Sequence, residues 1–418
     1  MPLWWRMAEA DRPVVVVSNR GPLSFSHGPG GELVAKRAGG GLVSSLAPLV
    51  RDLGALWFLH HGLFDLSRRP RLDRRWREAW DAYRTVNREF AQAVVEEAPE
   101  GAVVLVQDYH LAMVGTWLAQ QRPDLRTVHF THIPFCEPGA LRMLPEDVAE
   151  ELLVGMGSHS SCGFHARRWA ANFTACCTEV LGFMPATFVS PLTPDIDDLS
   201  GVAASEASLR EAAALEEVLQ GRKLILRVDR IELSKNLLRG FWAYDDLLRT
   251  YPEWRERVVF AAFVYPSREG LPEYLAYRHE VEALARVLND RWATPGWQPI
   301  LLRASDNFPR SVAALTRYDV LLVNPVRDGL NLVAKEGPML NQRHGVLALS
   351  REAGVWEELG GTALEVNPFD VSGTADVLAA ALAMSPEARA AHAAALKAAI
   401  ATRVPQDWLD DQLAGAGG

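Results

Sequence analysis

Val320-Leu321-Leu322-Val323-Asn324-Pro325-Val326-Arg327-Asp328-Gly329-Leu330-Asn331-Leu332-Val333-Ala334-Lys335-Glu336 runs from a β-branched apolar block, through a turn at Gly329, into a helical segment. A continuous apolar run is how a parallel strand buried on both faces reads, and a helix directly behind it makes a βα unit. The amides from Leu330 to Val333 are then helix N-terminal donors, where unpaired N–H groups and the helix dipole suit a phosphate. Asp328 can accept hydrogen bonds from sugar hydroxyls, and Glu336, about two turns into the helix, can accept from a ribose. The plainer alternative is an ordinary helix start with solvated charges, and the crowding of polar groups behind a buried strand weighs against it.

The same alternation recurs along the chain. Short apolar runs are read as strands at Val14 to Val17, Ala102 to Val106, Thr127 to Thr131, Phe173 to Cys176 and Thr187 to Val189. In the second half they fall at Leu224 to Val228, Val258 to Val264, Ile300 to Arg303, Val346 to Leu349 and Ala363 to Val366. Each leads through a polar or glycine-bearing turn into a helical pattern, as βαβ units do. Pro191 to Gln220 breaks the composition with two prolines, an acidic cluster and an Ala/Glu/Leu-rich helix, which marks a domain boundary. The expectation is an α/β chain of two domains, 12–195 and 196–400, with 401–418 as a tail that frays at Ala414 to Gly418.

At 418 residues the chain exceeds what one core usually serves. Hydrophobic residues at 49% and charged residues at 23% are those of a soluble globular protein. A net charge of −9 attracts neither nucleic acid nor an anionic membrane, so an anionic substrate needs a local basic pocket. Cys136, Cys162, Cys176 and Cys177 suggest neither a disulfide framework nor a zinc site. The opening MPLWWRMAEADRP has no long apolar run, and a cytoplasmic enzyme is expected.

Ligands of open parallel sheets bind beyond the carboxyl ends of the strands, so the residues just past each strand are the candidates. Ser18-Asn19-Arg20 follows the first strand, and Gly39-Gly40-Gly41-Leu42 precedes a helix. Glycines there let backbone amides approach an anion, although a flexible turn would read the same way. Arg20, behind a buried strand, needs a partner or a ligand. Gln107-Asp108-Tyr109-His110 and Thr131-His132-Ile133-Pro134-Phe135 deliver polar groups from two neighbouring strands. A single histidine is more often structural, and the pair of strands shifts the balance towards a site. Arg230 and Lys235 follow the strand at Leu224 and suit a diphosphate, arginine as a fork and lysine as a point charge. A surface pair of Arg230 with Glu232 is the competing explanation. Arg268, in Tyr265-Pro266-Ser267-Arg268, adds a cation behind the next strand.

Taken in order, SNRGPLSF with GGGL, QDYHL, THIPF, DRIELSKN, YPSRE, VRDGLNLVAKE and VNPFD resemble the trehalose-6-phosphate synthase family across most of the chain. The resemblance implies the GT-B fold, two Rossmann-like domains with parallel sheets facing a central cleft. It implies that Arg230 and Lys235 hold the donor's diphosphate, that Asn331, Leu332 and Val333 add donor contacts, and that Glu336 binds the donor ribose. Asp328 and His132 would contact the transferred sugar, with Gly40 and Gly41 near the phosphates. Asp108 and Trp57 would lie on the acceptor side, and Arg20 and Arg268 would bind an acceptor phosphate. The implied chemistry is retaining transfer of glucose or a similar hexose from a nucleotide diphosphate sugar to a phosphorylated acceptor, by default glucose 6-phosphate. It uses no cofactor and no metal, with small molecules as the partners and no nucleic acid or membrane, and it is compatible with a homo-oligomer.

Two departures accompany the match. Ala55-Leu56-Trp57-Phe58-Leu59-His60-His61 follows the first helix almost at once, so the family's intervening stretch, with the tyrosine upstream of its tryptophan, has no counterpart. Gly182 to Pro194 is also shortened. A pseudo-glycosyltransferase coupling a nucleotide-activated cyclitol to an amino-cyclitol phosphate, a glucosylglycerol-phosphate synthase and a catalytically weak regulator that binds sugar nucleotide are therefore the alternatives. A nicotinamide-dependent Rossmann enzyme is a poor rival, because no Gly-x-Gly-x-x-Gly follows a strand with an acidic residue downstream. The nucleotide base and the exact acceptor stay open at this stage.

Overall fold

The computed structural model describes residues 12–18, 23–27, 33–37 and 71–417. The chain forms two compact units, Met1–Pro191 together with Trp408–Gly418, and Leu192–Asp407.

The first unit holds strands β1 (Val14–Val17), β2 (Leu23–His27), β3 (Leu33–Arg37), β4 (Val103–Gln107), β5 (Arg126–Thr131), β6 (Ser161–Phe164) and β7 (Thr187–Val189). β2 and β3 pair antiparallel with each other. The other five make a parallel sheet in the order β1-β4-β5-β6-β7, so the strands after β1 are laid down in one direction. All five residues of β4 are buried, as its unbroken apolar run requires. The helix Arg74–Glu97 starts where Asp73 accepts the Trp76 amide at 3.1 Å. It buries Trp76, Trp80, Tyr83, Asn87, Ala91 and Val94, the three-and-four spacing of one helical face.

Two sequence expectations fail in this unit. Phe173 to Cys176 is not a strand but part of the helix Arg167–Leu181, whose buried residues are Trp169, Ala170, Phe173, Cys176 and Cys177. Those positions form a helical stripe, and a four-residue window cannot separate a helical stripe from a strand. The strand in that region is β6, Ser-Cys-Gly-Phe, whose small side chains carry little periodic signal. The described part of the expected frayed end, up to Gly417, is also packed. Ala416 is buried, the Ser161 hydroxyl donates to the Gly415 carbonyl at 2.7 Å, and Leu409 and Leu413 pack against Val14, Val103, Leu105 and Val128.

The second unit holds β8 (Lys223–Ile231), β9 (Val258–Pro266), β10 (Ile300–Ala304), β11 (Val320–Val323), β12 (Val346–Ser350) and β13 (Leu364–Val366). All pair parallel, in the order β10-β9-β8-β11-β12-β13. The chain starts at the middle strand, winds outward through β9 and β10, and returns to lay β11, β12 and β13 on the other side. The reversal falls between β8 and β11, and this topological switch point is where an open α/β sheet binds its ligand. Among the described residues, no helix is long and apolar enough to cross a membrane.

Candidate active site

The carboxyl ends of β8 and β11, on either side of the switch point, carry a knot of charge. Arg230 lies inside the last turn of β8, which extends past the expected Val228, and Lys235 sits in the short helical turn behind it. Asp328 follows β11 and forms an ion pair with the Lys235 ammonium, and Asp229 lies 3.7 Å from the same ammonium. Arg230 pairs with Glu232 at 3.2 Å. The competing explanation for Arg230 is thus half realised: the pair exists, but it is not a surface pair, since the Glu232 side chain is only 1% exposed against 34% for Arg230. Under this layer, Arg227 is fully buried in β8 and bonds to Asn324, to the Asp229 carboxylate at 3.2 Å and to the Lys235 carbonyl. Gly240 makes room for that guanidinium, because a Cβ there would stand 2.9 Å from an Arg227 nitrogen.

Backbone contacts hold Asp328 in place. Its amide donates to the Glu352 carbonyl at 3.2 Å, and its own carbonyl accepts from Gly354 at 3.0 Å. Only glycine fits at 354, where a Cβ would lie 1.9 Å from the Gly329 carbonyl oxygen. Asn331, at a φ of 84°, donates to the Asp328 carboxylate at 3.0 Å and accepts the Ala334 amide at 3.2 Å.

The electrostatics follow from these pairings. Burial would pull the Lys235 ammonium down, but the charges of Asp328 and Asp229 outweigh it and raise its pKa, so it stays charged. Burial raises the Asp229 carboxyl despite Lys235 and Arg227. Glu232 holds Arg230 above the ordinary arginine value. Arg227, Arg230 and Lys235 face Asp229, Glu232 and Asp328, so the cluster itself is neutral and a diphosphate can compete for its cations.

The helix Val333–Leu340 starts beside Asp328. The Lys335 and Glu336 amides both reach the Leu332 carbonyl at 2.8 Å, and Asn331 takes the Ala334 amide, so among the described residues the Leu332 and Val333 amides are the open donors of this end. Glu336 is partly buried on the same helix, and burial raises its carboxyl from 4.5 to about 7. A raised carboxyl stabilises the fold fully below the unfolded value, and that contribution is lost as pH rises through the folded value. Glu336→Gln is therefore expected to melt above wild type near pH 8 and level with it near pH 4.5. Were Glu336 to accept from a donor's ribose, wild type would bind that donor more tightly as pH rises through about 7, and the variant would bind it more weakly and lose that tightening. Melting curves and donor titrations at both pH values check this, and a pH-independent difference in melting would contradict it.

In the first unit, successive strands deliver polar groups from the same edge: Asp108 after β4, His132 after β5, His165 after β6 and Ser190 after β7. Asp108 has a φ of 71°, a conformation that costs a non-glycine residue strain. Its amide donates to the Phe130 carbonyl at 2.7 Å, its carbonyl lies 3.2 Å from His129 Nε2, and its carboxylate accepts the His132 amide at 3.2 Å. Burial pushes the Asp108 carboxyl up, but His110 and His132 outweigh it and hold it well below the usual carboxylate range. Burial also lowers His129 to about 4, which leaves that ring neutral, so its Nε2–H donates to the Asp108 carbonyl. His132 contacts Gln107 and His165, each at 3.1 Å.

The structure therefore brings Arg230, Lys235, Asp328 and Asn331 together in the second unit, with Leu332, Val333 and Glu336 on the adjoining helix. Arg268, at a φ of 49°, lies near enough to Arg230 to repel it. In the first unit Asp108 and His132 touch. Arg20, Gly40, Gly41 and Trp57 lie outside the described residues. Sequence reasoning missed Arg227 and Asp229, although a charge inside the apolar run of β8 is itself a signal that a partner exists. It missed His165 because β6 was not read as a strand.

A model of glycosyltransferase family 20 matches residues 54–416. The bifunctional trehalose-6-phosphate synthase/phosphatase of Thermoproteus tenax is 34% identical over 370 residues, which cover 85% of this chain and 50% of that protein. This chain thus spans about half the length of that relative. Alpha,alpha-trehalose-phosphate synthase [UDP-forming] 2 of Aspergillus niger is 30% identical over 446 residues, covering 92% of each. Among solved structures, an alpha,alpha-trehalose-phosphate synthase (UDP-forming) from Burkholderia xenovorans in complex with glucose-6-phosphate superposes with a TM-score of 0.81 at 28% identity. That match covers 96% of this chain and 92% of the other. The two parallel sheets match the GT-B structures of these synthases. With the family model spanning most of the chain and relatives of this identity along its length, the chain belongs to glycosyltransferase family 20, the family of the trehalose-6-phosphate synthases.

Proposed function

We propose that the protein transfers glucose, with retention, from UDP-glucose to glucose 6-phosphate and so makes trehalose 6-phosphate. The observation that carries this reading is the placement of Arg230, Lys235 and Asp328 on both sides of the switch point of the second sheet. The named relatives that form UDP support the choice of base, and the Burkholderia complex supports the choice of acceptor.

In this proposal the diphosphate takes the places that Glu232 and Asp328 now hold on the two cations. The Leu332 and Val333 amides add backbone donors, and Glu336 accepts from the ribose. Asp328, released from Lys235, accepts from hydroxyls of the transferred glucose, which His132 also contacts. Asp108 and Arg268 serve the acceptor. The bond from the sugar's anomeric carbon to the diphosphate breaks while the acceptor hydroxyl bonds to that carbon on the same face. The hydroxyl proton passes to the departing phosphate oxygen, so no side chain acts as nucleophile. Fixed cations in a partly dry site stabilise the charge that develops on the leaving group, and positioning supplies the rest. The reading requires no metal and carries with it the cytoplasmic location expected from the sequence.

Its test is the product. The protein incubated with UDP-glucose and glucose 6-phosphate should yield a phosphorylated disaccharide whose anomeric proton couplings are both α. A β coupling at the transferred sugar would overturn retention. Donor binding with no disaccharide would favour the cyclitol-coupling or regulatory alternatives.

A further inference from the structure

The helix Pro405–Gly415 comes from the far end of the chain, yet it packs on the first unit. It reaches His132 by three routes. The Gln412 amide nitrogen faces the Trp408 carbonyl at 3.4 Å, which turns the Gln412 oxygen towards Gln107. The Gln107 amide nitrogen donates to that oxygen at 2.8 Å, which in turn presents the Gln107 oxygen to His132 Nε2 at 3.1 Å. A carbonyl oxygen only accepts, so His132 Nε2 carries a proton and donates it to Gln107. On the other side of the ring, His132 Nδ1 lies 3.1 Å from His165 Nε2, and His165 Nδ1 donates to the Ser190 carbonyl at 3.3 Å, so one further proton lies between the rings and the pair carries three in all. The Ser190 hydroxyl donates to Asp411, one residue before Gln412, at 2.8 Å. The Trp408 ring also stands 5.8 Å from the His132 ring and meets Phe130 edge-on at 5.1 Å.

We propose that the C-terminal helix is a positioning element for His132, with Gln412, acting through Gln107, holding the proton on Nε2 and setting the tilt of the imidazole. The proposal rests on the reading of His132 as a contact of the transferred sugar. Gln412 is fully buried, and without its oxygen the Gln107 amide nitrogen has lost its acceptor. A buried donor without a partner is costly, and the Gln107 amide relieves that cost by rotating half a turn. The rotation offers an N–H to His132 Nε2, which must then accept, so that nitrogen gives its proton up to solvent and the pair of rings becomes neutral. A ring pair that has lost this charge binds substrate much as before but no longer matches the charge of the transition state.

The test is Gln412→Met, close in shape but without the amide, read two ways in the full-length protein. Nitrogen-15 histidine spectra, with His132 assigned by its loss in His132→Gln, should show Nε2 protonated in wild type and deprotonated in the variant. Turnover should show kcat lower by about tenfold with the KM for the nucleotide sugar within about twofold. Gln412→Glu, which keeps an oxygen to accept from the Gln107 amide nitrogen, should restore both. If Gln412→Met does not fold, Gln107→Met breaks the same chain one link closer and takes its place. Unchanged His132 shifts in the variant, or a fall in kcat that Gln412→Glu does not restore, would overturn the proposal. Loss of the Nε2 proton in a protein that shows no glucosyl transfer would instead uphold the positioning and overturn the substrate reading.

Discussion

Arg230→Ala is expected to lower kcat/KM for the nucleotide sugar by about 10²- to 10³-fold, which corresponds to the ~3–4 kcal/mol carried by one preorganised donor to developing charge. It should also cost some stability. Arg230 is a third exposed, but its partner Glu232 is buried, and the substitution takes away the cation that faces that carboxylate. The double variant Arg230→Ala with Glu232→Gln separates the two effects. It should recover the melting temperature and leave the activity low, because the lost stability belongs to Glu232 and the lost activity to the missing guanidinium. Recovery of turnover in the double variant would show that Arg230 serves only to neutralise Glu232. Wild-type turnover in the single variant would remove Arg230 from the donor site.

Lys235→Met should have the larger combined effect. Its side chain is only 9% exposed and its ammonium faces both Asp328 and Asp229, with Arg227 bonded to its carbonyl beneath. Removing one partner of a buried ion pair costs about 3–5 kcal/mol, because the other charge is left without compensation. In a domain of this size that lowers the melting temperature by roughly 6–20 °C. Activity should fall at least as far as in Arg230→Ala, since Asp328 loses its anchor along with the diphosphate losing a cation. Asp328→Asn added to Lys235→Met removes one of the stranded charges and should return part of the stability and none of the activity. Thermal melts beside initial rates make the comparison, and a variant that melts like wild type would mean that the pair around Lys235 is not the buried one described.

The donor half of the site was legible because it is local. Asp328, Gly329, Asn331 and Glu336 lie in one strand–turn–helix segment, and Arg230 and Lys235 in another, so spacing alone aligned them. What spacing could not show is which carboxylate each cation faces. Arg230 reaches Glu232 nearby in sequence, but Lys235 meets Asp328 across the switch point, a pairing that only the strand order creates. The first unit was harder to read because its site residues are braced from a distance. His132 leans on His165 behind a strand too short and too small-chained to register, and on Gln107 bonded to Gln412 at the other end of the sequence. The alanine-rich composition before that final helix read as a tail, although Leu409, Leu413 and Ala416 carry the apolar face that docks it.

The most direct test of the account is nucleoside diphosphate release from UDP-, GDP- and ADP-glucose, each with and without glucose 6-phosphate. The account predicts release that requires glucose 6-phosphate and is fastest with UDP-glucose. No release from any donor in the presence of glucose 6-phosphate, by a protein that still binds UDP-glucose, would contradict it.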